Sequence, residues 1–283
     1  MRRLNGLICF CLITIAATHT TVLHAQIRPL DPAPWRVFDG DNNVLLDAGV
    51  GMLYGQRASL AGTQGRLEEL GLYDIVWRNG RVAIHATGTA LWSLKNEEVF
   101  RTAHSEVGLE HDDPGAVIVE SLARLSPDNA PVLWLLRFGT RLPVTSLVSG
   151  LDRDATDFFA LLGLRTQGDL WVAGEAGTSI NGRPWPARGQ TDAFAFTAGA
   201  GYRSARIPVE SEVWIVGHDN LHGIEYRANE DLRELRVGLR TRGRYWLGVH
   251  WIHGLGDYSP SNGFRIMTGI DAHVRRVPIL GWE

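Results

Sequence analysis

The chain has little cysteine, a single lysine and no long hydrophobic run, and each scarcity excludes a class of protein. Its only cysteines, Cys9 and Cys11, lie near the N-terminus. If the N-terminal segment that contains both cysteines is removed, the remaining chain can form no disulfide and no thiolate metal site, and it has no cysteine nucleophile. Lys95 is the only lysine and no basic tract is present, so nothing indicates a nucleic-acid surface. No apolar run after residue 25 reaches the roughly 20 residues of a membrane-spanning helix.

The first 25 residues have the pattern of a secretory signal peptide. Met1-Arg2-Arg3 is a basic start, an apolar run covers residues 7–17, and Leu23-His24-Ala25 is an acceptable cleavage site. The apolar run is too short for a transmembrane anchor. We therefore expect export and a mature chain that begins near Gln26. Because residues 1–25 contain two arginines and no acid, their removal changes the formal net charge from −3 to −5.

Period-two alternation dominates the rest of the chain and predicts strands. Between residues 131 and 142, for example, Trp134 and Phe138 share one face, and Arg137 lies on the other. Twelve such segments cover residues 44–56, 68–78, 81–94, 115–126, 131–142, 157–167, 170–180, 191–204, 208–218, 231–241, 244–254 and 263–274. Most are near the roughly 9–11 residues that a tilted membrane strand needs.

Short turns and long loops alternate between the predicted strands. Asn79-Gly80, Gly168-Asp169 and Arg242-Gly243 have the composition of tight hairpin turns. Longer polar loops cover residues 57–67, 95–114, 143–156, 181–191, 219–230 and 255–262. This alternation is typical of an outer-membrane barrel, in which the turns on the periplasmic side are short and the loops on the cell exterior are long.

These patterns predict an all-β fold: a transmembrane, antiparallel, up-and-down β-barrel of about 12 strands. A secreted β-sandwich would show the same alternation but would bury its apolar face. The export signal, the loop lengths and the aromatic residues near strand ends favour the membrane. We expect a signal peptide (1–25), a periplasmic N-terminal segment (26–43), the barrel (44–274) and a C-terminal tail (275–283).

The polar face of the predicted strands carries thirteen ionisable residues that we expect to line the lumen. They are Asp74, His85, Glu120, Arg124, Arg137, Arg165, Glu175, Glu212, Arg236, Arg240, His250, Arg265 and Asp271. Opposed arginines and acids can form a polar path for small solutes. The alternative is a ladder of salt bridges that closes the lumen and only stabilises the fold.

Two other groups of residues have the composition of metal sites. Asp152, Asp154 and Asp157 could coordinate calcium, but the glycine and the distal glutamate of a calcium loop are missing. We interpret them as a solvated extracellular acidic loop. His218 and His222 have a zinc-like spacing only on a helix, whereas the preceding segment alternates like a strand. We expect no metal site and no cofactor.

Hydrolytic chemistry has little support in the sequence. Lipid hydrolases built on outer-membrane barrels use serine and histidine, and the nucleophile and the base must lie within hydrogen-bond reach of each other. No serine is predicted beside His218 or His222 on the same face, and no diagnostic motif is present. We therefore expect no catalytic site and no enzymatic activity.

One part of the chain resembles a known family. Asp112-Asp113-Pro114-Gly115 begins a strand, residues 136–143 (LRFGTRLP) end one, and Gly150-Leu151-Asp152 leads to the next. This order resembles the bacterial outer-membrane proteins grouped as transporters of the meta-pathway of phenol degradation, with their "DPGD", "K-L-P" and "G-x-G-x-x-D" motifs. The resemblance covers residues 112–180 and departs from the family at Ala116, usually an acid, and at Arg141, usually a lysine.

Together, the strand pattern and the resemblance predict a channel or transporter in the outer membrane for small hydrophobic or amphiphilic solutes, with the cargo unidentified. The alternatives are a non-transporting structural or adhesive barrel and, less favoured, an outer-membrane lipid hydrolase. The expected partners are outer-membrane lipid, lipopolysaccharide and, during biogenesis, the barrel-assembly machinery. No nucleic-acid partner is expected.

Overall fold

The strands of the chain pair into a closed barrel. The computed structural model describes residues 29–39, 44–60, 63–96, 110–144, 156–182, 190–220, 232–255 and 262–274. The predicted signal peptide (1–25) and C-terminal tail (275–283) lie outside these ranges. Within the described ranges, no helix is long and apolar enough to cross a membrane.

The described residues contain thirteen strands and one short 3-10 helix, Trp35–Phe38. The strands are β1 (Val44–Leu60), β2 (Thr63–Asn79), β3 (Val82–Asn96), β4 (Glu110–Asp113), β5 (Val117–Arg124), β6 (Val132–Leu142), β7 (Asp157–Thr166), β8 (Leu170–Gly182), β9 (Gln190–Arg203), β10 (Val209–Asn220), β11 (Leu232–Thr241), β12 (Tyr245–Gly254) and β13 (Asn262–Val274).

All pairings between these strands are antiparallel, and the sheet closes on itself. β1 pairs with both β2 and β13, so the first and last strands meet. β3 pairs with β2 on one side and with β5 on the other, which leaves twelve strands in the ring. β4 is additional and extends the sheet beside the far end of β3. The predicted all-β, up-and-down barrel of about 12 strands is confirmed.

The structure differs from the predicted loops at the end of the first hairpin. Pairing of β1 with β13 ends at Tyr54, but pairing of β1 with β2 continues to Leu60 and Thr63. Most of the predicted loop 57–67 is therefore paired strand. Likewise, the predicted loop 95–114 contains β4, which pairs with Trp92–Lys95 of β3. In these segments backbone hydrogen bonds pair the N–H and C=O groups, although the residues do not alternate between apolar and polar. The alternation pattern therefore did not predict them as strands.

The outer surface of the barrel is apolar. In β7, side chains alternate between buried and exposed, with Phe158, Leu162 and Leu164 exposed by 57%, 47% and 40%. Other exposed apolar side chains on the strands include Val50, Ile75, Ile84, Leu136, Val172, Ile215, Val237, Leu247 and Ile266. A water-soluble sheet exposes its polar face, whereas a membrane barrel turns its apolar face to lipid.

Aromatic side chains mark both ends of this apolar surface. Trp77, Tyr202 and Tyr245 are exposed near the short-turn end, and Phe158 and Phe264 are exposed near the long-loop end. Aromatic girdles at the two interfaces are a feature of membrane-spanning barrels. The surface pattern is therefore that of a barrel embedded in lipid.

Residues 29–39 of the N-terminal segment (26–43), which we expected in the periplasm, lie inside the barrel instead. This part of the segment buries Trp35, Val37 and Phe38 against inward-facing side chains of the wall. Leu30 packs against Phe159 and neighbouring residues. The segment carries both apolar side chains and charged ones, and it occupies the lumen because a barrel of twelve strands is wider than its own side chains can fill.

The segment runs along the lumen from the long-loop half to the short-turn end. Leu30 lies beside Phe159, close to the start of β7 at the long-loop end. Asp39 lies beside Arg165 and Arg203, at the end of β7 and of β9, where the short turns are. The chain then enters β1 at that same end, so residues 29–39 traverse the interior before the barrel begins.

Candidate functional site

The structure places all thirteen predicted lumen residues on the inner face of the barrel. Most of them are buried or line the central cavity. Asp271 lies directly opposite Asp47 across the β1–β13 pair, and residues paired in this way share a face. The thirteen do not form one cluster. They fall into several ion-pair groups, most of which also include residues of the N-terminal segment.

The most enclosed group surrounds Arg137 on β6. Its Nε donates to Glu120 Oε2 at 2.6 Å and its Nη1 to Glu175 Oε2 at 3.2 Å. His85 bridges two carboxylates, with Nδ1 2.6 Å from Glu120 Oε1 and Nε2 3.1 Å from Asp74 Oδ1. Both ring nitrogens of His85 therefore lie within hydrogen-bond distance of a carboxylate oxygen.

The same group holds the N-terminal segment in place. Arg137 Nη1 also donates to the backbone oxygen of Asp31 at 2.7 Å. The backbone N–H of Ala33 donates to Glu175 Oε2 at 3.0 Å, and Thr197 Oγ1 donates to the same oxygen at 3.0 Å. Wall side chains therefore satisfy backbone groups that would otherwise be buried without partners.

Asp31 is the second point of attachment. Its carboxylate accepts hydrogen bonds from Arg236 and from Arg265, whose Nη1 lies 3.1 Å from Oδ2. Burial alone would raise the pKa of Asp31, but Arg265 and Arg236 outweigh it and hold that pKa well below its ordinary value. Arg236 also donates to Glu234 Oε2 at 2.9 and 2.7 Å. The two guanidinium groups therefore favour the ionised form of Asp31.

Arg36 and Asp39 attach the other end of the segment. Arg36 Nε donates to Asp47 Oδ2 at 2.9 Å, and Arg240 donates to the same carboxylate. Asp39 accepts from Arg165 at 2.9 Å and from Arg203. Three buried or half-buried carboxylates, Asp31, Asp39 and Asp47, thus each lie between two guanidinium groups.

Tryptophans on the inner face are absent from the sequence-based set of lumen residues. Trp171 and Trp214 lie 5.4 Å apart between ring centroids, and Arg240 stacks 3.6 Å from the centroid of Trp246. Trp171 Nε1 donates to Glu210 and Trp246 Nε1 to Asp47. The period of two along a strand predicts their inward position, because each lies an even number of residues from an inward-facing neighbour.

Glycines make room for these rings. A Cβ on Gly199 would lie 2.3 Å from Trp214 Cε3, and one on Gly201 would lie 2.2 Å from Trp171 Cζ2. A Cβ on Gly49 would lie 2.5 Å from Trp246 Cη2. Each distance is shorter than atoms tolerate, so these inward positions require glycine. Each of these three rings therefore packs directly against the backbone of a glycine on another strand.

A cavity of about 110 Å³ remains between the N-terminal segment and the wall, chiefly β10–β13. Trp171, Trp214, Trp246 and Met267 supply its apolar surface. Arg236, Arg240, Arg265, Asp74, Glu212 and His250 supply most of its polar surface. His250 Nε2 lies 2.9 Å from Glu212 Oε1, so the ring is held by one carboxylate. The cavity therefore combines flat apolar walls with fixed charges of both signs.

Asp157 differs from its predicted place in an acidic extracellular loop. It is the first residue of β7 and is buried, and its Oδ1 accepts from the backbone N–H of Gly182 at 3.0 Å. The carboxylate faces inward because β7 alternates from its first residue onward. Asp152 and Asp154 lie outside the described residues. The expected solvated acidic loop is thus wrong for Asp157.

Among the described residues near His218, Ser179 is hydrogen-bonded to another side chain. Ser179, Asp157 and His218 line a cavity of about 10 Å³ at the long-loop end. Ser179 Oγ donates to Asn181 Oδ1 at 2.8 Å rather than to the imidazole. His222 lies outside the described residues. Within the described part of the chain, no group of three or more His, Cys, Asp or Glu side chains is arranged to hold a metal ion.

Several further inward residues were absent from the sequence-based set. Asp47, Glu210 and Glu234 are buried on the wall, and Asp31 and Asp39 belong to the N-terminal segment. Alternation could have found the wall residues, because Glu210 lies two residues before Glu212 and Glu234 two before Arg236. No sequence signal places the N-terminal segment in the lumen.

One solved structure matches this architecture over the whole barrel. An outer membrane channel from Pseudomonas putida F1 aligns with a TM-score of 0.60, over 86% of this chain and 100% of that chain. The chain has the fold of this channel. The sequence identity is 9%, so the likeness concerns the fold alone. At that level it agrees with the sequence resemblance to an outer-membrane transporter family.

Other solved barrels align less closely. The toluene transporter TodX of Pseudomonas putida aligns with a TM-score of 0.41 and 9% identity, over 88% of this chain and 94% of that one. The outer membrane protease OmpT from Escherichia coli aligns with a TM-score of 0.26 and 9% identity, over 84% and 100%. Because these TM-scores are low, neither structure supports a conclusion about this chain. No protein-family model and no curated protein matches the sequence.

Proposed function

We propose that the protein is an outer-membrane channel for small hydrophobic or amphiphilic solutes. The observation that carries this proposal is the cavity of about 110 Å³ beside the N-terminal segment, with tryptophan walls and fixed charges. Flat apolar surface suits the carbon skeleton of such a solute, and the charges orient its polar end. The fold shared with the Pseudomonas putida channel supports the same function.

The outer-membrane location belongs to the same proposal. The apolar surface and its aromatic girdles suit lipid on all sides of the barrel. A signal peptide at residues 1–25 would direct export, and the barrel-assembly machinery would insert the chain. Phospholipid and lipopolysaccharide would then surround it. Fractionation of cells that express the full chain tests this location, which is wrong if the protein remains with the soluble fraction.

Passage through the barrel is tested by the conductance of the purified full-length protein in planar bilayers and by liposome swelling. Trp35 packs over Gly163, and its indole is buried in the lumen. We expect a small conductance for the wild type and a larger one for Trp35→Gly, because removing the ring widens the space beside the segment. Trp77→Gly is the matched control, since Trp77 faces lipid.

A sealed, non-transporting barrel is the second candidate, and one observation favours it. The N-terminal segment fills much of the lumen, and its charges Asp31, Arg36 and Asp39 are all paired with the wall. If the barrel is sealed, both the wild type and Trp35→Gly should show no conductance and no liposome swelling. That result would contradict the channel function and leave a structural or adhesive role.

A further inference from the structure

Two neighbouring turns at the short-turn end of the barrel contain arginines and no acid. The turn between β9 and β10 (residues 204–208, SARIP) contains Arg206. The turn between β11 and β12 (residues 242–244, RGR) contains Arg242 and Arg244. We call these two turns together the arginine rim.

Arg242 joins the two turns of the arginine rim. Its guanidinium donates to the backbone oxygen of Ser204 and, at 3.2 Å, to that of Ile207. Its backbone N–H donates to the backbone oxygen of Pro208 at 2.7 Å. These bonds cross from one turn to the other, so the arginine rim is one continuous surface.

The other two arginines of the rim extend into solvent. Arg206 and Arg244 are exposed, and neither forms an ion pair with a carboxylate among the described residues. The acids on the neighbouring strand ends, Glu210 and Asp271, lie on the inner face of the wall. The arginine rim therefore has an excess of positive charge, although the formal net charge of the whole chain is −3.

The arginine rim lies at the level of exposed tyrosines. Tyr202, just before the first turn, is 51% exposed, and Tyr245, just after the second, is 72% exposed. Arg244 Cζ lies 5.8 Å from the centroid of the Tyr245 ring. Further along the strands, the outward side chains of Leu239 and Leu247 are apolar and exposed. Tyrosines at such a boundary lie among lipid headgroups, so the arginines have the position of the phosphates.

We propose that the arginine rim binds the headgroups of anionic phospholipids in the leaflet around the short-turn end. Phosphate oxygens accept hydrogen bonds from Arg206 and Arg244, whose planar guanidinium groups match their geometry. The acyl chains lie against the outer face below Tyr202 and Tyr245. Because the rim is continuous with this apolar face, a lipid covers both parts, whereas an acidic protein would cover the charges only.

Native mass spectrometry of the full-length protein tests this proposal. The protein is extracted in mild detergent from bilayers of equal parts phosphatidylglycerol and phosphatidylethanolamine with the same acyl chains, and the lipids that remain bound are counted. We expect an excess of phosphatidylglycerol. Equal retention of the two lipids by the wild type would overturn the proposal and leave an acidic protein as the occupant of the rim.

A double variant locates the lipid site. In Arg206→Gln/Arg244→Gln, the excess of phosphatidylglycerol should fall roughly fivefold or more, since one arginine near an anionic membrane surface contributes about that factor. Neither side chain has a carboxylate partner among the described residues, so the variant should fold, as checked by heat-modifiable migration. An unchanged excess of phosphatidylglycerol in the folded variant would overturn the site.

The matched control removes two exposed arginines from the long-loop end. In Arg66→Gln/Arg233→Gln, the arginines lost are ones that pair with acids, Arg66 with Glu68 at 3.4 Å and Arg233 with Asp219 at 3.1 Å. This variant should retain phosphatidylglycerol like the wild type. Equal losses in the two double variants would show that net charge decides retention, which would also overturn the site.

This inference rests on the membrane location in the proposed function and not on transport. Selective retention of phosphatidylglycerol by a protein without conductance supports the arginine rim and contradicts the channel function only. A conducting barrel without lipid selectivity contradicts the arginine rim only. The two failures are therefore distinguishable.

Discussion

Arg265 on β13 donates to Asp31 of the N-terminal segment at 3.1 Å, although 234 residues separate them in the sequence. The pair joins the last strand of the barrel to a segment that precedes the first strand. Arg236 on β11 binds the same carboxylate. The stability of the barrel is therefore coupled to the placement of the segment inside it.

This coupling predicts a dependence of stability on pH. The pKa of Asp31 is held below its ordinary value in the fold, so its ionised form stabilises the native state. That contribution is fully present above the unfolded-state pKa of about 3.9 and is lost as the pH falls through the lower native value. Asp31→Asn should therefore unfold more easily than the wild type at pH 7, and the difference should shrink below about pH 4.

The difference between the free energies of unfolding, measured in urea at a series of pH values, checks this prediction. Asp128→Asn is the control, because Asp128 is half-exposed and its ion pairs with Arg81 and Arg124 are 3.6 and 3.5 Å long. A difference for Asp31→Asn that is constant from pH 7 to pH 3 would contradict the role assigned to its charge.

Glu120→Gln tests the enclosed ion-pair group on the wall. The substitution leaves Arg137 and His85 buried with one carboxylate partner fewer, and breaking such a buried pair typically costs on the order of 3 kcal/mol. We expect a decrease of that order in the free energy of unfolding. Asp219→Asn, which breaks a half-exposed pair with Arg233, should cost less than about 1 kcal/mol. Equal losses in the two variants would argue against an enclosed polar core.

Gly199→Val tests the packing of the inward tryptophans. The new Cβ would meet Trp214 Cε3 at 2.3 Å and the backbone oxygen of Val213 at 2.6 Å, and a backbone atom cannot move aside as a side chain does. We expect destabilisation on the order of 1–3 kcal/mol or failure to fold, because such overpacking strains the wall. In Gly174→Val the nearest atom to the Cβ is Thr197 O at 3.4 Å, so heat-modifiable folding should persist.

Leu162→Arg tests whether the outer surface contacts hydrocarbon. Leu162 is exposed near the middle of β7, and an arginine at the bilayer midplane of a barrel costs about 2–4 kcal/mol. Leu170→Arg, at the short-turn end, should cost only about 0–1 kcal/mol because it reaches the interface. Folding free energies in lipid vesicles give both values. Equal small costs would indicate that water surrounds the barrel.

The sequence predicted the twelve barrel strands closely because the pattern is simple and repeated. In β6, alternation between Trp134 and Arg137 fixes which side chains face lipid and which face inward, since the period of a strand is two. The hairpin turns at Asn79-Gly80 and Gly168 set the pairing order. The short strand β4 carries no alternating apolar pattern, and for that reason only the structure shows it.

The sequence predicted which residues of the candidate site lie on the inner face of the wall. It did not predict how those residues are arranged relative to one another. Alternation placed His250 and Arg265 on the inner face, but their position directly opposite each other depends on the β12–β13 register. Register depends on long-range pairing and turn geometry rather than on composition. The sequence also could not distinguish His85, which has two carboxylate partners, from His250, which has one.

By itself, the sequence determined the strands and the two faces of each, because alternation has the period of a strand. The export signal and the loop lengths then favoured a membrane barrel over a sandwich. Only the tertiary structure decided what fills the lumen. Residues 29–39 have no periodicity, and their place follows from contacts such as Arg165 with Asp39 and Arg137 with Asp31. Those contacts join residues more than a hundred positions apart, so they depend on the tertiary structure that brings the residues together.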